Sequence, residues 1–249
     1  MTMIEGVRIR ATPCCGKLYA SPNYVSLNFM SFGFWTDGWR ERSLMPNETG
    51  LRQCACGIFV KLKDMIDVRI DAKSELPRME HIPGQLWQDC IKQAKDADME
   101  ILARIAYWRF ANHEYRDKYR AHRDAEEEES KKIWNVLQNQ TNKWWKKLLR
   151  IPPPEYRRSS NSPFTYPPFE PTIAQVENMT ILSDMLLEIQ KKEPGRYVTT
   201  LAELYRELGR FEEAKAQILS IPENEIGTTS KLLSDLIDEK ETALIRYRM

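Results

Sequence analysis

Leu51-Arg52-Gln53-Cys54-Ala55-Cys56-Gly57, read together with Pro13-Cys14-Cys15-Gly16, sets the architecture of this chain. Each segment puts two cysteines close together and follows them with a glycine. Four such thiolates supply the tetrahedral set that a structural zinc ion takes. In a reducing compartment, clustered thiols are better explained by a metal than by disulfides. With no open coordination position, a zinc held by Cys14, Cys15, Cys54 and Cys56 is structural, not catalytic. Cys90 stands apart and is expected to be a buried helix residue.

The first segment is irregular. The common zinc knuckle runs Cys-Pro-x-Cys-Gly, and here Thr12 occupies the first ligand position while Cys14 fills the variable one. Adjacent cysteines in a strand point to opposite faces, so both reach one metal only where a turn swings them inward. Three arrangements remain open: four ligands, three ligands with Cys14 as a spare, and four metal-free thiols.

The surroundings of the cysteines read as short strands. Val7 and Ile9 alternate with Arg8 and Arg10, and Val25, Leu27 and Phe29 alternate with polar residues. Ile58, Val60 and Leu62 form a further period-two set. Asp37-Gly38 between aromatic residues predicts a tight turn. Residues 1–70 are therefore expected to form a small β-rich, zinc-ribbon-like module.

Pro77, Pro83 and Gly84 place a boundary in 71–84. Residues 85–150 follow with helical spacing: Trp87, Ile91 and Ala94, then Ile101, Ile105, Trp108 and Ala111. Beyond the acidic run Asp124 to Glu129, the positions Ile133, Leu137, Thr141, Trp144 and Leu148 predict another long amphipathic helix. Prolines 152–154, 163, 167, 168 and 171 make 151–171 an extended linker. In 172–249 four helices are expected: from a Thr172 cap to about Lys192, Thr199 to Leu208, Phe211 to Leu219, and about Thr229 to Arg246. Leu204, Leu208, Phe211 and Leu219 are placed in the core. The fold class is α+β.

Phe34-Trp35-Thr36-Asp37-Gly38, Leu44-Met45-Pro46, the Cys54 segment and Leu204-Tyr205-Arg206-Glu207-Leu208-Gly209-Arg210-Phe211-Glu212-Glu213-Ala214 together resemble a family of uncharacterised bacterial proteins. Its members pair an N-terminal zinc-ribbon-like segment with a helical region. The resemblance covers about 5–62 and 196–220 and implies architecture, not an activity. The second segment also resembles one tetratricopeptide helix pair. A solenoid needs at least three copies, so a helical hairpin in a bundle is an equal reading.

The charge is balanced, 37 basic against 36 acidic residues, which excludes a polybasic or acidic tail protein. No apolar stretch suits a signal peptide or a membrane span, so a cytoplasmic protein without membrane partners is expected. No Gly-rich phosphate loop or His-rich metal motif is present, and His81, His113 and His122 are the only histidines. No catalytic or cofactor-binding residue is assigned. These features favour a non-enzymatic, zinc-stabilised adaptor or scaffold that binds another protein. The alternative is nucleic-acid binding through the ribbon and segment 143–158. There Lys143, Lys146, Lys147, Arg150, Arg157 and Arg158 surround Trp144, Trp145 and Tyr156.

Overall fold

The computed structural model describes residues 3–26, 31–42, 49–141, 156 and 165–247. Small antiparallel sheets and a larger set of helices make it an α+β protein. Contacts group the chain into two compact units, Met1–Asn112 with Pro171–Met249, and His113–Glu170. These units cut the chain differently from the segments expected above. Residues 1–70, 85–112 and 172–249 fall in one unit.

In the first unit, β1 (Met3–Ala11) pairs with β2 (Leu18–Ser26) as a hairpin. The expected alternation holds at Ile9, which is buried, but Val25 is exposed. Leu27 and Phe29 lie outside the described residues, as do Leu44, Met45 and Pro46. β3 (Ser31–Trp35) and β4 (Arg40–Arg42) flank the Asp37-Gly38 turn, where Gly38 has a φ of 78°. The short strands β5 (Leu51–Gln53) and β6 (Phe59–Lys61) form a second hairpin. β7 (Ile66–Asp71) returns antiparallel to β1.

The helices α1 (Trp87–Lys92) and α2 (Ala97–Ala111) follow. Asp96 caps α2 by accepting from the Met99 backbone N–H at 2.8 Å, satisfying one of the free donors of a helix start. α2 is buried on two sides. Met99, Ala103 and Ala106 pack with Leu51, Phe59, Trp87 and Cys90, which ties the second hairpin to the helices. Ile101 and Trp108 pack instead against Met179, Leu182, Leu201, Leu204, Leu233 and Ile237.

In the second unit, α3 (His113–Thr141) is one continuous helix that includes the acidic run. Glu114–Lys118, Glu127–Lys131 and Glu128–Lys132 pair one turn apart at 2.8–3.0 Å, the spacing at which opposite charges support a helix. The expected apolar stripe is not buried there, since Ile133 and Leu137 are both exposed. Trp144, Leu148 and most of the proline-rich segment lie outside the described residues, with all of the basic segment 143–158 except Tyr156. In the part that is described, Tyr115 packs edge-on against Phe169 and donates to the Pro167 carbonyl at 2.9 Å.

The remaining helices belong to the first unit. α4 (Ile173–Lys192) starts in a full capping box between Thr172 and Gln175, as expected. α5 (Val198–Glu207) and α6 (Phe211–Leu219) are joined at Gly209, whose φ of 72° lets the Arg210 N–H turn back to the Tyr205 carbonyl at 2.8 Å. Leu204 is fully buried and Leu208 and Phe211 partly so, whereas Leu219, placed in the core from sequence, is 75% exposed at the end of its helix.

The last helix is shorter than expected. α7 (Thr228–Asp238) stops where Lys240 takes a φ of 54° and the Glu241 N–H bonds back to Leu236. The chain then continues without helix, burying Ala243, Leu244 and Ile245, and β8 (Arg246–Tyr247) pairs with β3.

Candidate metal centre

The two cysteine pairs sit at the tips of two hairpins. Between β1 and β2 the backbone closes through Thr12 N–H to Lys17 O (3.0 Å) and Gly16 N–H to Thr12 O (2.9 Å). Between β5 and β6 it closes through Cys54 N–H to Ile58 O and Gly57 N–H to Cys54 O, both 2.8 Å. Gly16 and Gly57 have φ values of 72° and 87°, a left-handed backbone that other residues adopt only with strain. That explains why a glycine follows each pair.

The tips bring all four sulfurs within 4.8 Å of one another. Cys14 Sγ lies 3.5 Å from Cys56 Sγ, Cys15 Sγ 3.5 Å from Cys54 Sγ, and the adjacent Cys14 and Cys15 sulfurs are 3.9 Å apart. A tetrahedron of sulfurs about 2.3 Å from a central zinc has edges of about 3.8 Å, so the spacing suits a metal of that size. Cys14 and Cys15 occupy a turn, not a strand, which lets both side chains face the same point. Cys54 is buried and Cys15 and Cys56 are exposed. Cys90 is fully buried between α1 and α2, away from the cluster, and burial pushes its thiol up to about 12.

The sulfurs differ in their surroundings. Burial pushes the Cys14 thiol up to about 12, with the Thr12 hydroxyl opposing the shift. Burial also pushes Cys54 upward. The Cys56 backbone N–H, the Tyr19 and Thr12 hydroxyls and the Cys15 thiol outweigh it and bring Cys54 down to about 6. The Thr12 hydroxyl, then the Lys17 backbone, hold Cys15 below the usual thiol range. A metal-free cluster at neutral pH thus mixes thiolate and thiol.

Two residues around the cluster carry no signal in a cysteine pattern. Thr12, sitting where the usual knuckle has its first ligand, is 1% exposed and places Oγ1 at 3.4 Å from Cys15 Sγ and 3.7 Å from Cys54 Sγ. Tyr19 lies with its hydroxyl 3.6 Å from Cys54 Sγ and accepts the Ala55 N–H at 2.9 Å. Such outer contacts orient ligands and tune their charge.

A second polar centre was missed from sequence. Arg206 and Glu203, both fully buried on α5, form a two-pronged ion pair at 2.7 and 2.8 Å. Arg206 also donates to the Glu241 carbonyl and to Thr36 Oγ1. Glu207 accepts from Trp108 Nε1 at 2.8 Å and from Asn112 Nδ2 at 3.4 Å, and the same Asn112 amide donates to Asp37 at 3.3 Å. Burial, then the nearby Glu203 and Asp37, raise the Glu207 carboxyl well above the usual range. The segments around Asp37 and around Arg206 therefore meet in this network. Two of the three histidines lie one helical turn from an acid, His113 Nδ1 at 3.3 Å from Asp117 and His122 Nε2 at 3.6 Å from Glu126.

No described helix is long and apolar enough to cross a membrane. Comparison of the chain with models of protein families, with curated proteins and with solved structures finds no match.

Proposed function

We propose that this chain is a non-enzymatic interaction protein, an adaptor or scaffold, whose N-terminal hairpins are locked by one structural zinc on Cys14, Cys15, Cys54 and Cys56. The observation that carries the reading is the closed set of four sulfurs at two hairpin tips. Four thiolates fill a tetrahedral shell and leave no position for substrate, and soft sulfur donors select zinc or iron. The metal would fix the register of both hairpins, and β5–β6 packs on the core side of α2, so the metal would also steady the helical part.

The partner proposed is another protein. Its contact surface would be the outer face of α6 in the tetratricopeptide-like pair, which offers the exposed Leu219 beside charged side chains. A cytoplasmic location belongs to the same proposal, since it keeps the thiols reduced. The test is affinity capture from the source cells with the wild-type chain and with Cys54→Ser/Cys56→Ser. The reading predicts a stoichiometric protein partner for the wild type that the variant loses, with no turnover in metal-loaded preparations. Submicromolar nucleic-acid binding that weakens steeply with salt would contradict it.

A further inference from the structure

Beside the metal centre lies a cavity of about 490 Å³, within the size range of small-ligand pockets. It opens between the β1–β2 hairpin, the residues following β6 and the segment 78–81. Its charged lining is Arg10, Arg52 and Arg78, with His81 beside them, and its aromatic lining is Tyr19 and Tyr24. Leu62, Met65 and Met79 supply an apolar wall. Among the described residues the lining holds no carboxylate.

Each arginine is held differently. Arg52 is only 7% exposed and donates to the Leu51 carbonyl at 2.8 Å. Arg10 donates to Asp67 at 2.9 Å, but Asp67 is shared with Arg8 at 3.4 Å, so two guanidinium groups meet one carboxylate. Arg78 has no ion-pair or hydrogen-bond partner among the described residues. Its backbone is pinned against Ala20, whose N–H donates to Pro77 O at 2.9 Å, so the side chain is presented from a fixed position. The cavity therefore combines excess positive charge with flat and apolar surface. Guanidinium groups recognise phosphate oxygens in pairs, and tyrosine faces stack on flat rings.

We infer that this cavity is a binding site for a small phosphorylated ligand with a flat ring system, the chemistry of a mononucleotide, with phosphate on the arginines and the ring against Tyr24 and the methionines. This goes beyond the interaction role and does not depend on the identity of the metal.

The experiment is calorimetric titration of the whole, metal-loaded protein. The probes are the four ribonucleoside 5′-monophosphates, the same nucleosides without phosphate, inorganic phosphate, and an eight-nucleotide single strand. At least one monophosphate is expected to bind with a Kd of about 100 µM or tighter. Its nucleoside and inorganic phosphate should each bind at least about tenfold more weakly, as a site using both halves requires. Arg78→Ala, at an exposed position, should weaken binding at least about tenfold with an unchanged melting temperature. Tyr24→Ala tests the ring contact at a second exposed position, and Lys191→Ala on α4 should bind like the wild type. Three results would each overturn the inference. One is that no monophosphate binds below about 1 mM. Another is that affinity is unchanged in both Arg78→Ala and Tyr24→Ala. The third is an oligonucleotide binding more than about a hundredfold tighter than every monomer, which would assign the cavity to a nucleic-acid strand.

Discussion

At Glu207 a carboxyl group is enclosed beside two other acids, Glu203 and Asp37, with one indole N–H and one amide for company. Its Oε1 has no hydrogen-bond partner among the described residues. Burial and the neighbouring negative charges favour the protonated form. The folded state thus holds a proton that the unfolded chain releases above its ordinary carboxylate range, about pH 4.3. Stability from this group is complete below that range and is lost as pH rises toward the folded-state value. Glu207→Gln, which keeps the acceptor for Trp108 without ionising, should leave stability within about 1 kcal/mol at pH 4.5 and flatten its decline up to pH 8, measured by urea unfolding. A parallel decline in wild type and variant would place the proton elsewhere. The Glu203–Arg206 pair is tested by removing one partner. Arg206→Met leaves a buried carboxylate unpaired and should cost about 3–5 kcal/mol, whereas a loss below about 1 kcal/mol would mean water reaches the pair. At this scale the four cysteines were legible because thiols at close spacing have few other uses. The pattern Glu203-x-x-Arg206-Glu207 was not. Charges three and four apart on a helix ordinarily face water, and only the arrival of Thr36, Trp108 and Asn112 from distant parts of the chain makes them interior.

Hairpins and helices were readable to the extent that local signals decide their ends. The Thr172 cap, the Gly209 turn and the limits of α6 depend on neighbouring residues and came through. The end of α7 did not. Its stop is a left-handed Lys240, a conformation usually marked by glycine, and the residues beyond continue an apolar spacing because they are buried in the non-helical segment that leads to β8. Leu219 was misplaced for a related reason: it keeps the helical period of α6, but the helix ends before anything covers it. Thermal or denaturant unfolding should separate the two leucines. Leu204→Ala should cost about 2–5 kcal/mol and Leu219→Ala less than about 0.5 kcal/mol. Equal costs would contradict the burial described here. In the first hairpin, Tyr19→Phe removes the acceptor of the Ala55 N–H and a hydroxyl beside Cys54. It should destabilise the protein by about 1–2 kcal/mol, and a neutral effect would show that the hydroxyl is dispensable to the second tip.

The first unit is closed by its C-terminal strand. β8 pairs with β3, the Ile245 N–H donates to Thr36 Oγ1 at 3.2 Å, and Arg246 pairs with Glu41 at 2.7 Å. The sequence suggested separate segments because each stretch has its own periodicity. What joins them is long-range pairing, which leaves no local mark. A metal on the four sulfurs would add a second closure, between Cys14–Cys15 and Cys54–Cys56. Because Cys14 is held near 12 and Cys54 near 6, metal uptake at neutral pH must displace protons, and affinity should rise as pH is raised from about 6. Calorimetry in buffers of different ionisation enthalpy should detect that release; its absence would mean the thiols are already ionised or do not bind.

The most direct test is metal content and ligand sphere in untagged protein, by elemental analysis and X-ray absorption. One zinc per chain with four sulfur neighbours at about 2.3 Å is expected, with a clear loss of metal in Cys14→Ser and Cys54→Ser but not in Cys90→Ser. Well under one equivalent of any transition metal, with Cys14, Cys15, Cys54 and Cys56 all reacting as free thiols, would contradict it.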